Sequence, residues 1–88
     1  MATLNSGSPE TRVAGVVQRL LTERSLSAAI QPADDLRAAG LTSLDMISLV
    51  LAVEAEFGLL VPETQIKPEN FQSVMAISSL VSALLAAA

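Results

Sequence analysis

Apolar residues recur at helical spacing in three stretches of this chain, and no segment shows the sustained two-residue alternation of a strand. Val13, Val16, Val17, Leu20 and Leu21 form one stripe, which predicts a first helix opening at Ser8-Pro9 and ending near Glu23 or Arg24. Ser8 suits the N-cap, and Pro9 the first helical position, where its missing N–H costs nothing. Val74, Ile77, Leu80, Val81, Leu84 and Leu85 form a last stripe behind a capping Ser73, with Ala86 to Ala88 expected to fray. Between them, the segment after Gly40-Leu41-Thr42 predicts a second helix that stops at Gly58, a residue suited to a left-handed terminus. A short segment around Glu63 to Ile66 reads as one or two further helical turns, closed by Lys67-Pro68.

These elements predict an all-α fold, a small four-helix bundle of three long helices and one short, with a long first loop from Ser25 to Thr42. Loops of that length in small domains are usually functional or pinned by their own apolar residues, here Leu26, Ile30, Leu36 and Leu41. Residues 1–8 read as a flexible N-terminal arm and residues 9–86 as the folded domain.

The middle helix departs from simple amphipathicity. Met46, Leu49, Val50, Val53 and Phe57 share one face, as a core stripe should. On the opposite face Leu44, Ile47, Leu51 and Ala55 repeat the spacing, interrupted only by the small Ser48. Either this helix lies at the centre of something or its second stripe meets partners. The chain offers too little other polypeptide to wrap it, so partner contact is the expectation.

Charge adds to that picture. From Thr42 to Ile66 there is no Lys or Arg, whereas Asp45, Glu54, Glu56 and Glu63 all fall there. The other five acids and five bases of the chain cancel, so the formal net charge of −4 is confined to this stretch. An acidic rim beside an apolar strip would steer basic partner surfaces and repel nucleic-acid phosphates. The acidic balance also disfavours anionic membranes, and no apolar run approaches the roughly 20 residues needed to cross a bilayer. With no basic-then-apolar leader in view, a soluble, cytoplasmic monomer is expected.

The chain contains neither Cys nor His. Disulfides, thiolate nucleophiles, His-based metal sites and Ser-His dyads are therefore excluded, and no metal site is expected. Ser43 is the candidate for chemistry, because it offers a hydroxyl where unpaired amide protons and the helix dipole favour a phosphoryl group. Taken alone, a serine at a helix start is more often just a cap.

The order Asp35-Leu36, Gly40-Leu41-Thr42-Ser43-Leu44-Asp45, Leu49, Glu54, Phe57-Gly58 and Val61-Pro62 resembles the phosphopantetheine-dependent carrier proteins, the acyl, peptidyl and aminoacyl carriers, across about Pro9 to Leu85. The resemblance implies that Ser43 bears 4′-phosphopantetheine, attached by a phosphopantetheinyl transferase from coenzyme A. It also implies a discrete carrier that holds an acyl or aminoacyl group as a thioester, not an enzyme. Its partners would be an acyl- or aminoacyl-loading enzyme, and acyltransferase, ketosynthase or condensation-type enzymes of polyketide, nonribosomal-type, fatty-acid or specialised acyl pathways. Thr42, Leu44, Asp45, Ile47, Ser48, Leu51, Glu54 and Ala55 would form the docking face.

The chain departs from the family pattern at Thr42, where many acyl carriers have Asp, and at Ser48 and Ala55, where fatty-acid carriers often have Glu. Those changes point away from general fatty-acid synthesis. Pro68-Glu69-Asn70-Phe71-Gln72-Ser73-Val74 with Ala76-Ile77 resembles discrete carriers of amino acids or specialised acyl units. The rival function is an unmodified helical adaptor that docks through the same face.

Overall fold

The computed structural model describes residues 8–26 and 29–87; the expected N-terminal arm, apart from Ser8, and the terminal Ala88 lie outside the described residues. Within them the chain forms three α-helices, α1 (Pro9–Glu23), α2 (Ser43–Phe57) and α3 (Val74–Ala87), and two single 3-10 turns, Glu63–Gln65 and Pro68–Asn70. Among the described residues there is no strand. The short fourth helix expected around Glu63 to Ile66 is thus a single 3-10 turn, and Pro68, whose ring cannot extend it, opens a second turn instead. The Asn70 amide donates to the Gln65 carbonyl at 2.9 Å and binds the two turns together. Ala86 and Ala87, expected to fray, are helical, since α3 runs to Ala87.

Local chemistry fixes the helix ends. Ser8 accepts the Thr11 N–H, with Pro9 at the first helical position. At the other end of α1, Ser25 adopts a φ of 58°, and the Leu26 N–H reaches back to the Leu21 carbonyl at 2.8 Å, a left-handed close that also returns Leu26 toward the core. Gly58 ends α2 with φ 63°, a conformation that glycine adopts without strain. Ser73 accepts the Ala76 N–H at 3.0 Å and opens α3.

One core holds the elements together, with α1 packed on both α2 and α3. Val13, Val17, Leu21, Leu49, Val53, Phe71, Ile77 and Val81 are fully or almost fully buried. Burial of such side chains supplies most of the stability of a domain this small. Met46, Phe57, Leu20 and Leu84, expected in the stripes, are only partly buried, and Leu85 is exposed on the last turn, where none of the described elements covers it.

The segment between α1 and α2 carries turns but no helix among its described residues. Leu36 and Leu41 are buried, and Leu26 and Ile30 pack against the core. Two backbone bonds pin this segment to the start of α3, from the Leu36 N–H to the Gln72 carbonyl at 2.8 Å and from the Met75 N–H to the Pro32 carbonyl at 2.9 Å. The paired acids serve as turn acceptors, Asp34 for the Gln31 N–H and Asp35 for the Arg37 N–H. A connection of this kind holds the start of α2 in a fixed place.

Candidate functional site

The N-terminus of α2 is closed by Thr42 rather than Ser43. Thr42 is the N-cap; its hydroxyl accepts the Asp45 N–H at 3.3 Å, while the Asp45 carboxylate accepts the Thr42 N–H at 2.8 Å. This reciprocal box satisfies two orphan amides with the two side chains of positions 42 and 45. Ser43 occupies the first helical position and is exposed. Its hydroxyl is left without the capping duty that a serine at a helix start usually performs.

Asp45 belongs to the scaffold. Expected on the docking face, it is only 5% exposed, and its second oxygen sits 3.1 Å from Arg24 Nε at the end of α1. The Thr42 N–H holds its carboxyl below the usual aspartate value; burial opposes this, and the Thr42 hydroxyl and Arg24 add to it. The charge therefore ties α1 to the start of α2 and presents little to a partner.

The other acids of the expected rim are mostly spent as well. Glu56 takes Arg12 Nε at 2.9 Å, and Arg12 also donates to the Glu56 carbonyl at 2.7 Å and lies 4.4 Å from the centre of the Phe57 ring. Glu54, half-buried, accepts the Val61 N–H at 2.9 Å and fixes the chain after Gly58. Glu63 remains exposed. The acidic rim read from the sequence is thus much weaker at the surface, because Arg12 and Arg24 reach it from α1.

The apolar second face of α2 is at the surface. Leu44, Ile47 and Leu51 are 75%, 57% and 61% exposed, with Ser48 and Ala55 exposed among them. Large aliphatic side chains so open on one helix face contribute little to folding and leave apolar area for something else to cover.

Beside Ser43 lies a cavity of about 180 Å³ between α2, Arg37 of the preceding connection and the chain from Ile66 to Phe71. Its lining includes the buried Val50 and Phe71, Met46 and Ile47 from α2, and Ile66 from the chain between the turns. Arg37 and Lys67 complete the lining with positive charge. Sequence reasoning missed this grouping, because Arg37 and Lys67 come from two different connections and carry no periodic signal. Among the described residues there is no cluster of acids suited to a metal ion, and no helix long and apolar enough to cross a membrane.

Residues 11–85 match the family model described as a phosphopantetheine attachment site. Aminoacyl carrier protein 1 of Bradyrhizobium diazoefficiens is 43% identical over 70 residues, 80% of this chain and 78% of that protein. Aminoacyl carrier protein 2 of the same organism is 42% identical over 72 residues, 82% and 81% of the two chains. A crystal structure of the Bradyrhizobium japonicum glycine:[carrier protein] ligase with its cognate carrier protein and a glycyl adenylate analogue superimposes with a TM-score of 0.77. The identity there is 39%, covering 85% of this chain and 96% of the other. A second structure, of the same ligase with glycylated carrier protein, gives 0.75 at 39% identity, covering 82% and 96%. The attached group fits what the residues offer: an exposed hydroxyl free of capping, first-turn amides, and a cavity with two cations beside it.

Proposed function

The chain belongs to the phosphopantetheine-bearing carrier proteins, and from that premise we propose that Ser43 is the attachment residue and that the cargo is an amino acid. The observation that carries the site is the exposed Ser43 hydroxyl at the first position of α2, with the cap supplied by its neighbour. The prosthetic group, when bound, supplies a terminal thiol that holds the cargo as a thioester, which suits a chain with no Cys.

The protein's own residues position and present. Thr42 and Asp45 keep the end of α2 closed while Ser43 projects. Leu44, Ile47 and Leu51, with Ser48 and Ala55 between them, give a partner an apolar strip next to the attachment point. Glu54 and Asp45 shape this region from below rather than touching the partner. A strip of three large side chains suits brief docking, since a carrier must leave each enzyme to reach the next.

The amino-acid cargo is supported by the two aminoacyl carrier relatives and by the carrier proteins solved with the glycine ligase. On this reading the loading partner is a ligase that activates an amino acid and transfers it to the arm. The test is mass spectrometry of protein incubated with coenzyme A and a broad-specificity phosphopantetheinyl transferase. One phosphopantetheine is gained by the wild type and none by Ser43→Ala. Absence of any gain on the wild type across several transferases, or a gain on Ser43→Ala, would refute the assignment.

A further inference from the structure

The cavity beside Ser43 combines an apolar lining with two cations. Arg37 and Lys67 are exposed, and neither enters an ion pair with another described residue, unlike Arg12 and Arg24, which are each committed to a carboxylate. No carboxylate lines the cavity. In an acidic protein of net charge −4, two uncommitted cations at one opening make a local reversal of sign.

Both cations stand on the wall of this one small cavity, so an anion placed there meets two positive charges. The guanidinium of Arg37 offers a planar fork of donors and the ammonium of Lys67 a compact charge, and both chemistries suit phosphate oxygens. Ser43 lines the same cavity.

We propose that Arg37 and Lys67 form a phosphate clamp that holds the root of the prosthetic arm at this cavity. The inference rests on Ser43 as the attachment residue. The singly charged phosphodiester is held between the two cations, while the first aliphatic carbons of the arm lie against Met46, Ile47 and Val50. The distal thiol stays free to move, but its pivot is fixed. Docking of a partner on Leu44 and Ile47 then meets an arm that already leaves the surface in a set direction.

The test compares holo wild type with Arg37→Gln/Lys67→Gln and with Arg19→Gln, which removes an exposed α1 cation that does not line the cavity. Mass spectrometry first verifies one phosphopantetheine on each; absence of any gain on the wild type across several transferases refutes the Ser43 assignment, not the clamp. Circular dichroism verifies that each variant is folded, as expected for exposed side chains. Phosphorus-31 transverse relaxation is then read. Wild type and Arg19→Gln should relax at least twofold faster than the double variant, and 1 M NaCl, with a Debye length of about 3 Å, should bring the wild type to the variant's rate. Amide shifts of Val50, Ile66 and Phe71 should differ between apo and holo wild type and not in the double variant. Equal relaxation in wild type and double variant, or an equal effect from Arg19→Gln, overturns the clamp.

Discussion

Leu49 and Leu51 stand two residues apart on α2, carry the same side chain and face opposite ways, so one substitution at each measures what the two faces do. Leu49 is completely buried and Leu51 is 61% exposed. Leu49→Ala removes three buried carbons and leaves a cavity in the core, which costs about 2–5 kcal/mol. A domain of this size has a total stability of roughly 4–13 kcal/mol, so that loss is a large part of it. Each kcal/mol corresponds to about 4–8 °C in melting temperature, and a fall of at least about 8 °C is expected. Leu51→Ala gives up little contact and gains a better helix former, so its change should stay within about 0.5 kcal/mol. Urea unfolding of the apo protein at 25 °C, followed by far-UV circular dichroism, compares the two. A loss from Leu51→Ala within about 1 kcal/mol of that from Leu49→Ala would show that the outer strip is part of the core after all.

Ile47→Glu and Leu51→Glu should slow transfer by partner enzymes at least tenfold in KM-limited assays, with the melting temperature of the apo protein nearly unchanged; an unaltered transfer rate would remove the strip from the docking surface. Phe57→Ala should cost about 2 kcal/mol, below the 3 kcal/mol or more of a fully buried ring, because Phe57 is only half-buried and stacks under Arg12. A double-mutant cycle with Arg12→Ala, measured by urea unfolding, should give a coupling of about 0.5–1 kcal/mol, and zero coupling would dismiss the ring contact. The folded-state carboxyl of Asp45 lies below the usual 3.8, so its stabilising contribution is complete above that pH and is lost as the pH falls through the depressed value. Asp45→Asn should lower the melting temperature at pH 7 and flatten its decline in acid below pH 3.8, and parallel acid profiles for wild type and variant would contradict the assignment.

Much of this was legible because it is local. Ser8-Pro9, Ser73 and Gly58 mark helix ends through their own backbone chemistry, and the two stripes of α2 follow from its 3.6-residue period. Ser43 was legible as a candidate from its place at the start of an apolar helix, and Thr42 as a residue able to cap it. The acidic rim was misread for a long-range reason: Arg12 reaches Glu56 across 44 residues, and no count of charges along a segment shows which will be neutralised from another helix. The two 3-10 turns were too short to carry a period. The cations beside Ser43 come from separate connections, and only the fold brings Arg37 and Lys67 to one wall.

The box formed by Thr42 and Asp45 separates two jobs that a single serine would otherwise have to share. A residue that both sealed a helix and carried the arm would lose its capping oxygen once its hydroxyl was esterified. On the proposed attachment, an ester at Ser43, or its hydrolysis, leaves both partners of that seal untouched, so the bare and primed forms would offer each enzyme the same surface to grip.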